Sequence, residues 1–443
     1  MAAEARNRYG ILSRITCPHC WERFSPEKTL WVSEHNDLLG DPRLGAEEPQ
    51  RFLPTRFTAR GEALDAKGIA CHTLACPRCH LTIPRGLLES EPLFISILGA
   101  PASGKSFYLA AMTWELRHLL ALQFAISFSD ADPLFNRTLN SYEEALFVNS
   151  RPDRVMPLAD LIQKTEEQGE HYDFVSFGGQ TVSYPRPILF ALHPEEGHPN
   201  CANAAKLARI VCLYDNAGEH FQPGRDTVSS PVTRHLAQSR ALMFVFDPTQ
   251  DGRVRQLGNL GNAGFGSIRD GKVGRQEPIL QEAAARVRRY SGLRQTEKHK
   301  RPLIVVVTKY DLWSPLLDDD APPEPWRRTT VKDDGNGRHG QTIAALDTSK
   351  VREMSAAVRE LLLRLCPEIV AASESFSQDV TYVPVSAVGW AAHLDPKSGQ
   401  HSIRPAETRP YWVTVPFLYA LSKSSHGLVP VFKTNKSKPQ GHT

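Results

Sequence analysis

The stretch Phe94–Met112, FISILGAPASGKSFYLAAM, sets the reading of the whole chain. An apolar run, Phe94–Leu98, stops at Gly99; a short loop leads to Gly104-Lys105-Ser106, and from Phe107 to Leu122 the apolar residues recur at helical spacing. Strand, tight turn and helix with a lysine at the mouth of the turn satisfy G-x-x-x-x-G-K-[ST], in which backbone N–H groups and the lysine cradle nucleotide phosphates and the hydroxyl reaches Mg2+. Gly99, Ser103, Gly104, Lys105, Ser106 and Phe107 are therefore candidate nucleotide-binding positions, with Ser106 also a candidate Mg2+ ligand. A coincidental glycine turn is the plain alternative, and the flanking strand and helix speak against it.

Working outward, short and nearly continuous apolar runs recur at Ile188–Leu192, Ile210–Tyr214, Ala241–Phe246, Leu303–Val307 and Val380–Val385. Such runs suit a sheet covered on both faces. Helical patterns fall between several of them, at Ile279–Tyr290, Ser349–Leu365 and Trp412–Ser422. The expectation is an α/β protein with a doubly wound, mostly parallel sheet and helices on both faces. Residues 1–90 read as a separate small module, residues 91–424 as the α/β domain with insertions near 127–187, 250–276 and 315–341, and residues 425–443 as a flexible basic tail. The second and third insertions are Gly-rich and polar, which predicts mobile loops. A helix-like pattern at Pro157–Glu167 and a turn at Gly178-Gly179 fall within the first.

Composition bounds the partners. In 443 residues, Lys+Arg number 52 and Asp+Glu 49, so the net charge of +3 gives no bulk electrostatic argument for nucleic acid or a membrane surface. The opening MAAEARNRYGILSR lacks a signal-peptide core, and no run approaches the ~18 apolar residues of a membrane span, which predicts a cytoplasmic protein. Five of the eight cysteines lie before residue 80, and in a reducing compartment that clustering favours metal over disulfides.

Three further elements end strand-like runs, at the end of an open α/β sheet where ligands bind. IVCLYDNAGEHF offers Asp215, placed to hold Mg2+ through water, and Gly218, whose N–H can meet a terminal phosphate. LIVVVTKYD ends in Thr308, Lys309 and Asp311, and TYVPVSAVG in Ser386 and Ala387.

With GAPASGKS, DNAG, TKYD and SA in this order over roughly residues 91–424, the chain resembles the Ras-like, translation-factor-related GTPases of the TRAFAC class. Its amino-terminal cysteines make it most similar to the bacterial double-GTPase families of biological-conflict gene neighbourhoods. No second phosphate loop occurs, so any pairing of GTPases would involve another chain. The resemblance implies GTP and GDP as ligands. Asp311 would accept two hydrogen bonds from guanine N1–H and the 2-amino group, Lys309 would lay its stem over the base, and the Ala387 N–H would donate to O6. Thr308 stands where the family pattern has asparagine.

Hydrolysis is where the chain departs further from the pattern. Glu219, followed by His220, occupies the position of the water-orienting glutamine, and either can polarise water. The threonine that closes over Mg2+ and the terminal phosphate is expected before Ile188, with Thr181 best placed and Thr165 behind it. Glu219 and Thr181 are thus the candidate catalytic residues, and Thr181 joins Ser106 and Asp215 as a candidate Mg2+ ligand. Arg137, Arg151 and Arg186 lie in the insertion, but no arginine finger is assigned, and a partner can supply one.

The amino-terminal module carries CPHC (17–20) and CPRC (76–79), two knuckles separated by 55 residues. Each presents two thiolates at the spacing of a tetrahedral Zn2+ edge, so Cys17, Cys20, Cys76 and Cys79 form a closed structural set, zinc-ribbon-like in character. Cys71, His72, His19 and His80 are the substitute ligands, and a redox pair is the alternative chemistry. The functional expectation is a GTPase switch, slow without a partner, within a bacterial multi-protein system. The alternatives are a nucleotide-gated binding module with negligible hydrolysis, or an RNA- or ribosome-contacting GTPase acting through the zinc module.

Overall fold

The computed structural model describes residues 10–162, 172–216, 221, 234–257, 275–317, 321–331, 342–394 and 401–432. The strands of its α/β part are, in chain order, β1 (Glu91–Gly99), β2 (Ile126–Asp130), β3 (Tyr172–Phe177), β4 (Gln180–Pro185), β5 (Ile188–Pro194), β6 (Arg209–Asp215), β7 (Ala241–Phe246), β8 (Leu303–Val307) and β9 (Val380–Pro384). Seven of them form one sheet in the order β2-β5-β6-β1-β7-β8-β9. β5 runs antiparallel to both of its neighbours, β2 and β6, while β6, β1, β7, β8 and β9 pair in parallel. The connection from β1 runs out to one edge and returns to β6, then crosses to β7 on the other side of β1. That reversal puts a topological switch point at the carboxyl end of β1, where an open α/β sheet forms its ligand crevice.

Alternation along β1 sorts its side chains between two faces. Ile95 and Ile97 join the core with the two helices α1 (Lys105–Leu119) and, from the far end of the chain, Val415–Ser424. Leu98 points the other way, toward Glu277–Ser291, Thr348–Leu365 and Pro367–Phe376, which cover β7, β8 and β9. Phe94 shares that second face with Ile210, Cys212 and Tyr214 of β6, and there the cover is the cysteine module: Cys17, Trp21, Cys76 and Leu87 pack directly on the strands. Each fully buried aliphatic or aromatic side chain contributes about 1.5–3 kcal/mol. The small module therefore borrows the sheet as one wall of its own core.

The described residues of the insertion at 127–187 form regular elements. Its first residues lie in β2, which alternates buried and exposed positions as an edge strand does. Helix α2 (Arg137–Phe147) follows, burying Leu139, Glu143 and Leu146 at helical spacing. Arg117 satisfies the buried Glu143 from α1, its Nε donating to Oε2 at 3.0 Å. Among the described residues, strands β3 and β4 pair only with each other, turning at Gly178 and Gly179, both with positive φ. The helix-like pattern at Pro157–Glu167 yields a single helical turn, Leu158–Leu161, before the described residues stop at 162.

Two expectations are modified. The insertion near 315–341 contributes Trp326–Thr330, which pairs with Thr342–Leu346, because Trp326 packs edge-on against Phe124 at 5.9 Å and anchors the ribbon. The tail does not fray at 425. Leu428 and Val429 are buried, and the Phe432 N–H donates to the Leu346 carbonyl at 2.9 Å. Residues 258–274, 332–341 and 433–443, which carry the rest of the expected loops and tail, lie outside the described residues.

Candidate functional site

The loop after β1 is shaped by steric necessity. A Cβ on Gly99 would stand 2.6 Å from the Val245 carbonyl oxygen, so only glycine lets β1 and β7 approach here. Ala102 and Gly104 both take positive φ, turning the chain so that α1 starts at Lys105 with its amino-terminal end at the loop. The Ser103 hydroxyl is buried and has no hydrogen-bond partner among the described residues, an unsatisfied group inside the cradle. The Lys105 ammonium, itself buried, pairs with the Asp215 carboxylate at the end of β6. Ser106 follows on the first turn of α1, and Phe107 is half-buried against the core.

The second half of the site is the TKYD segment. Thr308 does not simply lack an amide: its hydroxyl donates to the Ser103 carbonyl at 2.8 Å, tying the end of β8 to the loop between β1 and α1. Lys309 sits at φ 58° and turns its ammonium to Asp247, 2.6 Å away. Asp311 accepts from the Ser386 hydroxyl at 2.5 Å, and Ser386 in turn accepts from the Gly389 N–H at 2.9 Å. Burial pushes the Asp311 carboxyl up to about 6 against the pull of the Ser386 hydrogen bond. Ala387 follows Ser386, half-buried against the core.

The carboxyl ends of β1, β6, β7, β8 and β9 are thus linked through Lys105–Asp215, Thr308–Ser103, Lys309–Asp247 and Ser386–Asp311. Asp247 is the member that sequence reading passed over. It is fully buried and accepts from the Thr249 N–H at 2.9 Å. The available signal was an aspartate one residue past an apolar run, the placement that singled out Asp215. Thr181 lies elsewhere in its contacts: it is exposed on β4, paired across the hairpin with Ser176, and that hairpin sets Val175 and Tyr184 against the cysteine module. Arg186 is engaged within the same hairpin by Asp173 at 2.6 Å. Gly218, Glu219, His220 and Thr165 lie outside the described residues.

Cys17, Cys20, Cys76 and Cys79 come together with their sulfurs all within 4.8 Å of one another, and all four are buried. The two knuckles are built alike. The residue after each second cysteine takes a positive φ, Trp21 at 58° and His80 at 63°. Its N–H reaches back to the carbonyl of Cys17 or Cys76 at 3.1 and 3.0 Å, and the His19 and Arg78 N–H groups each donate to the first sulfur of their knuckle at 3.4 Å. Sulfur separations of 3.8 Å (Cys17–Cys79) and 3.7 Å (Cys20–Cys76) match the ~3.8 Å edge of a tetrahedron with ~2.3 Å metal–sulfur bonds. Burial pushes the Cys17 thiol up, whereas hydrogen bonds from the other three sulfurs hold Cys76 well below the usual thiol range. All eight cysteines are free, and the donor set fits a four-coordinate soft cation such as Zn2+. Three of the substitute ligands are engaged elsewhere: His19 contacts the Thr82 carbonyl, His80 contacts Asp41, and Cys71 bonds the Ile69 carbonyl, while His72 is exposed and outside the four-sulfur cluster.

No family model matches the chain. It is similar to the putative ESX-1 scaffolding and assembly protein SaeC of Mycolicibacterium smegmatis, at 25% identity over 262 residues that cover 54% of this chain and 58% of that protein. The chain therefore spans little more than half the length of that relative. Among solved structures, sup35 complexed with GDP aligns over 67% of this chain and 38% of its own, with 13% identity and a TM-score of 0.21. Among the described residues, no helix is long and apolar enough to cross a membrane.

Proposed function

We propose that the chain is a guanine-nucleotide-binding switch of the GTPase class that works in a bacterial multi-protein assembly. The observation that carries this reading is the convergence at one end of the sheet: a phosphate loop whose lysine pairs with Asp215, tied through Thr308 to a base-reading carboxylate, Asp311. Lys105 would turn from Asp215 to the terminal phosphates and leave the carboxylate free. Ser106 would then offer a hard oxygen to Mg2+ and Asp215 would hold the cation through water, and the cation would neutralise charge on the phosphates. Thr181 is the proposed closing threonine. The Asp311 carboxylate accepts where guanine offers two donors and adenine offers none, and the Ala387 N–H supports the opposite edge.

Glu219 is proposed to make unaided hydrolysis slow, because an ionised carboxylate near the transferring phosphoryl group opposes the charge that accumulates there. A cation supplied by a partner is worth roughly 10^3 to 10^5 in rate in such enzymes. The name of the SaeC relative, a scaffolding and assembly protein, supports protein partners for this chain. The four-cysteine set would hold zinc as a structural staple of residues 10–90. The test is competitive nucleotide binding: GTP and GDP should displace a fluorescent guanine nucleotide far better than ATP, and Lys105→Ala should abolish tight binding. Equal affinity for ATP and GTP, or undiminished binding by Lys105→Ala, would overturn the reading.

A further inference from the structure

The two residues flanking Asp215 are both held by buried hydrogen bonds on the face of β6 that the cysteine module covers. Before it, the Tyr214 hydroxyl donates to the Pro18 carbonyl at 2.5 Å and accepts from Trp21 Nε1–H at 3.0 Å. Pro18 lies inside the Cys17–Cys20 knuckle and Trp21 directly after it, so both partners of this one hydroxyl are positioned by the sulfur cluster. After Asp215, the Asn216 side-chain oxygen lies 3.0 Å from His235 Nε2. The Asn216 amide donates to the Ile97 carbonyl at 3.4 Å, which leaves its oxygen as acceptor and assigns the proton to His235 Nε2. His235 Nδ1 then accepts from the Ser96 hydroxyl at 2.6 Å, and Ser239 closes the set, 2.6 Å from Ser96. The two halves meet where the Tyr214 and His235 rings stack at 4.6 Å and 22°. Tyr214, Asn216, His235, Ser96 and Ser239 are all fully buried, so none can replace a lost partner with water without opening the core.

We propose that the Cys17–Cys20 knuckle is a regulatory input to the nucleotide site: metal held by the four cysteines sets nucleotide affinity through Tyr214 and His235, which hold the two residues on either side of Asp215. This inference rests on the nucleotide-site reading above. Its physical content is that the Tyr214 hydroxyl has two partners only while the knuckle keeps its metal-bound shape. A knuckle that relaxes strands a buried phenol next to the carboxylate that pairs with Lys105, and metal binding and local folding are coupled in such modules. Tyr214 and His235 are positioning residues, since neither reaches the ligand itself.

Coupling between two ligands is reciprocal, so it can be read at the metal as well as at the nucleotide, and typical couplings are on the order of 5–150-fold. The experiment titrates zinc into the full chain against a chromophoric chelator, with Mg2+ constant, in the absence and presence of saturating GDP. Binding of a fluorescent GDP is measured in parallel with zinc present and with zinc withdrawn by a zinc-selective chelator. In the wild type the GDP-induced change in zinc affinity and the zinc-induced change in GDP affinity should agree and exceed about fivefold. Tyr214→Phe keeps the ring stack, loses both hydrogen bonds to the knuckle, and should bring both changes below about twofold. Zinc and GDP affinities that ignore each other in the wild type would overturn the proposal. So would a coupling undiminished in Tyr214→Phe, the result expected if zinc merely holds the whole chain folded. Failure of the zinc-loaded wild type to bind any guanine nucleotide is a different outcome, and it would remove the nucleotide reading along with this one.

Discussion

Asp311 makes the sharpest prediction because its environment sets both the sign and the pH of the effect. The carboxyl is pushed up to about 6 from an ordinary 3.8, burial outweighing the Ser386 hydrogen bond and the nearby Lys309 charge. Only the ionised form can accept from both guanine donors; the protonated form presents a donor of its own to them. Guanine affinity should therefore hold above pH 7 and fall about tenfold per unit below pH 6. At pH 5 only about one-eleventh of Asp311 is ionised, and the dissociation constant for GDP should rise roughly tenfold on this account alone. Stability of the nucleotide-free protein runs the other way. The folded state holds the proton more tightly than the unfolded chain, so this group's contribution is fully present below about 4 and is lost as pH rises through about 6. The assay is equilibrium titration of a fluorescent GDP between pH 5 and 8 on the wild type and Asp311→Asn. The phosphates of the nucleotide titrate near ~6 as well, but equally for both proteins, so the ratio of the two profiles isolates Asp311. The reasoning is refuted if the wild type is flat across the range or if the ratio does not change with pH.

Three further outcomes follow from single contacts. The purified protein should carry one zinc per chain, and Cys76→Ser should lose the metal and lower the melting temperature; elemental analysis that finds no metal, with disulfides formed instead, would refute this. Thr308→Val keeps the volume but removes the hydroxyl from the Ser103 carbonyl; urea denaturation should show a loss of about 0.5–1.5 kcal/mol, and an unchanged midpoint would mean the bond is idle. Gly99→Ala places a methyl 2.6 Å from the Val245 carbonyl, so β1 and β7 must part, at about 1–3 kcal/mol in the same assay; a stability equal to wild type would show that the strands have room.

Much of the candidate site was legible because its chemistry is local. The Gly99–Ser106 loop, the TKYD segment and each cysteine knuckle are contiguous, and the chemistry proposed for each depends on the spacing of neighbours along one chain. The sheet was legible for a related reason: strands buried on both faces read as unbroken apolar runs. The edge strand β2, ISFSD, escaped because half of it faces solvent and its residues alternate. Helix α2 escaped because one of its three buried positions is Glu143, a charge satisfied by Arg117, 26 residues away. The ordered start of the tail was hidden because Leu428 and Val429 find their apolar surroundings only in the folded protein.

Residue type and spacing along the chain single out the groups with chemistry to offer: Lys105 at the mouth of a turn, Asp215, Asp311 and Ser386 at strand ends, and cysteines in pairs. Which of them meet is a property of the folded protein. It matched Lys105 with Asp215 across 110 residues, hung Thr308 on the carbonyl of Ser103 across 205, and brought Asp247 to Lys309. It also seated the cysteine module on the face of β6, where a hydroxyl 196 residues from Pro18 bonds to the knuckle. Periodicity fixes what each element buries, but the order of strands in the sheet fixes which element it is buried against. That order is set by competition among all the faces that must be covered at once, which no single stretch of the chain encodes.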